Sequence, residues 1–153
     1  MLKSLLIPIL VLPFLLYSQN PSEKNLNEFL DDWHEAAAKA DMTAYFEKID
    51  EEGIYIGTDA TEYWTKQEFY EWSKPYFDQG KAWTFTAKER HIYLSDDKTL
   101  AWFDEKLDAS YGELRSSGVL RFKDGEWKIM HYVLSLPVPN DRFKDVLEKI
   151  KSD

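Results

Sequence analysis

The chain has 153 residues, with 28 Asp and Glu against 19 Lys and Arg, three His, no Cys, and an aromatic load of 6 Trp, 9 Tyr and 9 Phe. That length makes one domain with a real core, and an acidic excess of nine without any Lys/Arg run excludes a surface that tracks phosphates, so nucleic acid is not an expected partner. The lack of cysteine excludes disulfides, thiolate metal sites, a cysteine nucleophile and a lipid-anchored cysteine.

Lys3 is followed by an unbroken apolar run from Leu5 to Leu16. The run is too short for a bilayer-spanning helix, which needs about 20 residues, and has the charge-then-apolar order of an export signal. Residues 1–18 are therefore expected to be a signal peptide cleaved after Ser18. The protein would then be periplasmic or secreted, with no membrane attachment after cleavage, and removal of Lys3 raises its acidic excess to ten.

Ser22 can cap a first helix whose apolar positions Leu26, Phe29, Leu30, Trp33 and Ala37 follow the helical period. Asp41 can cap a short second helix carrying Tyr45 and Phe46. Gly53 and Gly57 bracket a short strand over 54–56. Thr65 and Glu68 have capping-box spacing and open a third helix with Phe69, Trp72 and Tyr76 on one face, ending near Gly80. From Trp83 onward, long strands alternate with turns at 95–98, Tyr111-Gly112 and Asp124-Gly125, the pattern of an antiparallel four-stranded meander. Long strands twist and curl, and a curled sheet covered by helices encloses a cavity. After Pro137 and Pro139, residues 140–153 read as a tail helix with Phe143, Val146, Leu147 and Ile150 on one stripe.

Asp124-Gly125 is the strongest hairpin signal, because both central positions of a type I′ turn need positive φ. A two-residue loop there sets Lys123 opposite Glu126, Phe122 opposite Trp127, Leu120 opposite Ile129 and Gly118 opposite His131. On this register Met130, Tyr132 and Leu134 fall on the outer face. The same logic through Tyr111-Gly112 puts Ala101, Phe103, Glu105, Leu107 and Ala109 on the concave face, with Glu105 opposite Gly118 and Asp108 opposite Arg115. Glu105 and His131 would then flank a glycine. The turn at 95–98 fixes no register, so whether Arg90 or His91 points inward stays open.

This order of elements, together with Phe29-Leu30-Asp31-Asp32-Trp33-His34, Gly57-Thr58-Asp59-Ala60-Thr61-Glu62, Tyr63-Trp64-Thr65-Lys66, Lys88-Glu89-Arg90-His91, Ala101-Trp102-Phe103-Asp104-Glu105, Ser117-Gly118-Val119-Leu120 and the 134–141 segment, resembles the SnoaL-like branch of the nuclear transport factor 2-like superfamily. The resemblance runs over essentially all of the chain after residue 18, with the domain itself at residues 19–139. It implies an α+β, cone-shaped fold with helices packed on a curved antiparallel meander. It implies no reaction, since enzymes, carriers and association modules share this scaffold.

His131 with Glu105 is the leading pair for acid–base chemistry, against a purely structural hydrogen bond. Trp33, His34, Tyr45, Asp59, Trp64, Tyr76, Trp83, Gly118 and Trp127 are the residues expected to line or rim a ligand cavity. Plain core packing is the competing reading for the aromatics, and turn capping for Asp59. The three histidines lack metal-ligand spacing, and no Gly-x-Ser-x-Gly elbow occurs, so neither a metal, a cofactor nor a serine nucleophile is expected. The expected function is exported binding of a small apolar or aromatic molecule by a homodimer joined through its outer sheet face. The alternatives are an isomerase, cyclase or dehydratase using the His–carboxylate pair, and a non-catalytic dimerisation module.

Overall fold

A computed structural model of the chain describes residues 22–152. The leader expected at residues 1–18 lies outside them.

The N-terminal helices start where the capping residues place them. Helix α1 (Glu23–Ala38) opens with Ser22 accepting the Asn25 N–H, and it buries Leu26, Leu30, Trp33 and Ala37 along one stripe. Helix α2 (Met42–Glu47) opens with Asp41 accepting the Ala44 N–H at 3.0 Å and buries Tyr45 and Phe46. Helix α3 (Lys66–Asp78) carries the full Thr65/Glu68 capping box. Its buried face is Phe69, Ser73 and Phe77 rather than the expected Phe69, Trp72 and Tyr76. Trp72 and Tyr76 are turned to the side and largely exposed.

The sheet has six strands in the order β2-β1-β6-β5-β4-β3: the four of the expected meander, the expected short strand at 54–56, and one more, β2, that the sequence reading does not provide. Strand β1 spans Ile49–Ile56, so Gly53 lies within it rather than before it. A Cβ at Gly53 would stand 2.7–2.9 Å from Ile49 Cγ2, Asp50 O and Ile129 O, so glycine serves close approach here. Strand β1 pairs parallel with β6 (Glu126–Ser135), and antiparallel with the short β2 (Tyr63–Thr65). Strands β3 (Phe85–Leu94), β4 (Leu100–Ala109) and β5 (Gly112–Lys123) complete the expected antiparallel meander with β6. The curved sheet and the helices form a cone filled by one continuous, largely aromatic core.

Two features of register decide what reaches the interior. At the β5–β6 hairpin, Asp124 and Gly125 take φ of +55° and +88°, and the pairs Lys123/Glu126, Phe122/Trp127 and Leu120/Ile129 form as expected. A bulge then intervenes. Val119 pairs with His131 and Gly118 with Tyr132, leaving Met130 as the extra residue. One extra residue reverses the face of everything beyond it, so Tyr132 and Leu134 point into the core and His131 points out.

At the β4–β5 turn, Ala109 pairs with Gly112, which moves Glu105 opposite Ser116 instead of Gly118. This shift is by two places on the partner strand, so the inward set Ala101, Phe103, Glu105 and Leu107 is preserved and buried. Asp108 meets Glu113 in register rather than Arg115, and its carboxylate pairs with Lys88 at 3.0 Å. Gly118 is filled by the Phe103 ring. A Cβ there would come within 2.7 Å of Phe103 Cε1 and of His131 O.

Past Pro139, a 3-10 turn (Asn140–Arg142) leads into α4 (Phe143–Ser152), whose Phe143, Leu147 and Ile150 are exposed.

Candidate functional site

Two neighbouring features occupy the cone: a sealed polar cluster on its β3–β5 side and an aromatic pocket at its open end.

Glu105 centres the cluster. It projects inward from β4 and is 1 % exposed. Its Oε1 lies 2.9 Å from His34 Nε2 and accepts from Ser116 Oγ at 2.8 Å, while Oε2 accepts from Arg90 Nε at 2.7 Å. A carboxylate only accepts, so His34 Nε2 carries the proton and donates it. Arg90 Nη1 reaches on to Asp31 at 2.8 Å and to both oxygens of Asn27 at 3.2 Å. The cluster thus ties α1 to β3, β4 and β5. Burial by itself would raise the Glu105 carboxyl, but the His34 hydrogen bond and charge, the Arg90 charge and the Ser116 hydrogen bond together hold it below the ordinary carboxylate range.

The expected pairing of His131 with Glu105 is not formed. The bulge at Met130 turns His131 to the outer face, and His34 takes its place. His34, expected to line or rim a cavity, is buried. Arg90 was the unassigned position on β3. Its inward direction comes from its place opposite Glu105 in the β3–β4 ladder.

The aromatic pocket, about 130 Å³, lies where the C-terminal end of β1, the 57–62 loop, α3 and the β4–β5 turn meet. Its walls include Tyr55, Trp64, Phe69, Trp72 and Trp83, with Phe85 and Leu134 toward the interior and Tyr111 and Glu62 at the rim. The rings are mutually packed. Tyr55 stacks on Phe69 at 3.9 Å, Trp64 lies 4.8 Å from Trp72, and Trp83 is 5.6 Å from Phe69. Phe69 is buried while Trp72 is 42 % exposed, so the walls run from core to solvent. At the opposite end of the cone a groove of about 590 Å³ is lined mainly by charged residues paired with one another, among them Arg121 with Asp50 at 2.8 Å and Lys66 with Glu51 at 2.7 Å. Its walls are mainly charged side chains and their aliphatic stems, with no aromatic face among them.

The other expected lining residues divide among pocket, core and exposed surface. Trp64 and Trp83 are in the pocket wall. Trp33 and Tyr45 are buried beneath it, stacked on each other at 4.9 Å. Trp127 packs against Phe122 at the far end of β6. Tyr76 leans on Trp72 from outside, 5.2 Å between rings. Gly118 is covered by Phe103. Asp59 caps its own turn, accepting from Thr61 N at 2.8 Å and Thr61 Oγ1 at 2.6 Å. Sequence reasoning missed Arg90, Ser116, Tyr55, Glu62, Phe69, Trp72 and Tyr111 as site residues. A readable signal existed for Tyr55, the aromatic residue of the short strand bracketed by Gly53 and Gly57, and for Glu62, which closes the loop begun at Gly57.

The family model described as "SnoaL-like domain" matches residues 26–139. Solved structures agree on the fold. An NTF2-like protein of unknown function from Pseudomonas putida KT2440 superposes with a TM-score of 0.65 at 12 % identity, covering 78 % of this chain and 89 % of that one. An NTF2-like protein from Cytophaga hutchinsonii gives 0.63 at 12 % identity, covering 76 % and 99 %. A protein of unknown function with a cystatin-like fold from Nostoc punctiforme gives 0.63 at 12 % identity, covering 78 % and 93 %. No curated protein matches the sequence. Such a fold around a buried aromatic cluster fits a small-molecule-binding domain.

Proposed function

The chain belongs to the SnoaL-like domain family, and we propose that it is an exported binding protein that holds a small apolar or aromatic group in the pocket at the cone's open end. The observation that carries this reading is the pocket wall itself: aromatic faces that begin in the core at Phe69 and continue to solvent at Trp72. Aromatic walls with a few polar groups at the rim bind by area and orient by the rim. Export is supported by the order Lys3 then Leu5 to Leu16.

Proton transfer by a His–carboxylate pair is the less favoured reading. Glu105 is sealed, three donors hold it, and its carboxyl is kept below the ordinary range. A general base has to reach substrate and operate near ambient pH. The cluster instead supports a positioning role for α1 against the sheet.

Association through the outer sheet face remains part of the proposal, with a different set of residues. Tyr132 and Leu134, two of the three expected contacts, are core. Tyr93 and Trp102 stack at 5.8 Å on that outer face, each 48 % exposed, and are the large apolar groups a second copy would cover.

Thermal-shift screening of the purified protein against hydrophobic metabolites tests the binding reading. Some ligands are expected to raise Tm, and Trp64→Ala should abolish those shifts while leaving a cooperative melt. A library without a single shift counts against the pocket.

A further inference from the structure

Resting on the reading of this pocket as a small-molecule site, we infer that its ligand is an organic cation, a methylated amine or quaternary ammonium head, held by the tryptophan faces with Glu62 as counter-ion. The electrostatics of the lining carry the argument. Glu62 is the one charged side chain among the lining residues, which include no Lys, Arg or His. Among the described residues no cation forms a salt bridge with Glu62. Its Oε2 accepts the Asp59 N–H at 3.1 Å and lies over Gly57, where a Cβ would overlap it. The carboxylate is therefore fixed by the backbone of its own loop rather than neutralised.

Its field is felt by the pocket's phenols. Burial, and after it Glu62, pushes Tyr111 above its ordinary value; burial, Tyr111 and Glu62 do the same to Tyr55.

The walls add to that field. The face of an aromatic ring is the negative pole of its quadrupole, and tryptophan is the strongest of the three for cations. Trp64, Trp72 and Trp83 all line this one pocket. An anionic ligand would meet Glu62 and the ring faces with repulsion. A neutral one would gain area alone and leave the carboxylate unanswered. Size agrees: about 130 Å³ is close to the roughly 150 Å³ cavity that takes a benzene and below the roughly 300–1,000 Å³ of sites that engulf a drug-sized molecule. One compact head group fits, with any longer tail left at the open mouth.

Choline and 3,3-dimethylbutan-1-ol test this, because they have the same shape and differ in charge. Each is titrated against the full chain by intrinsic tryptophan fluorescence, and against Glu62→Gln, which keeps the acceptor for the Asp59 N–H. The expected result is choline binding about 10-fold more tightly than the alcohol. In Glu62→Gln that preference should fall to within about 3-fold, with the alcohol's affinity unchanged. Equal affinities in the wild type overturn the cation inference and leave the pocket reading standing. Silence from both probes overturns the cation inference, and the thermal-shift screen then decides the pocket reading. A choline preference that survives Glu62→Gln overturns the role of Glu62.

Discussion

Replacing Glu105 with alanine lowers stability by about 3–5 kcal/mol, the cost of removing one member of a buried, hydrogen-bonded charge pair, and thermal melts read it as a fall in Tm on the order of 10 °C. The reason lies in what the carboxylate holds. Arg90 Nε, His34 Nε2 and Ser116 Oγ all converge on it, and Arg90 is almost as buried as Glu105. Removing Glu105 leaves the Arg90 Nε side of the guanidinium buried without its partner, with only the exposed Asp31 carboxylate and Asn27 still holding Nη1. The double variant Glu105→Leu with Arg90→Met removes both charges, so it should recover part of the loss. A double variant as unstable as Glu105→Ala would show that shape rather than charge governs the site.

The same group sets an acid limit. The folded carboxyl is held below its unfolded value, so its contribution is fully present above the unfolded value of about 4.3 and is lost as pH falls through the lower folded one. Acid unfolding should therefore begin earlier in Glu105→Ala only through its lower starting stability, and the stability difference between wild type and variant should shrink below pH of about 4.

Trp33→Ala is the second large effect, at about 3–5 kcal/mol for a fully buried aromatic. Trp33 stacks on Tyr45 at 4.9 Å and meets the Tyr132 ring edge-on at 4.8 Å, so its loss opens a cavity that packed neighbours cannot close. It does not line the pocket. Chemical denaturation should show the loss in full, whereas ligand affinity measured well below Tm should stay within about twofold of wild type. An affinity loss comparable to that of Trp64→Ala would move Trp33 from the core into the site.

These contrasts show what a sequence can and cannot carry. Capping residues and periodicity are local, so α1, α2 and the box at Thr65/Glu68 were legible to the residue. The inward set of β4 was legible too, because alternation survives a register error of two. The bulge at Met130 has no glycine or proline to announce it, and it alone moved His131 out and Tyr132 in. The parallel pairing of β1 with β6 joins segments far apart in the chain, and nothing local encodes it. His34 met Glu105 through that kind of long-range packing, whereas Arg90 met it across the β3–β4 hairpin, whose turn at 95–98 leaves the register open; the cluster's centre was therefore readable from sequence and its partners were not.

A small molecule bound in the pocket at the open end is the central expectation. Native mass spectrometry of the protein purified from its source, beside a Trp72→Ala variant prepared in the same way, reports bound mass and subunit count in one spectrum. The expected spectrum is a dimer carrying one small molecule per chain, with the variant still dimeric and stripped of it. Bare protein in both samples, or a ligand retained undiminished by Trp72→Ala, would contradict it.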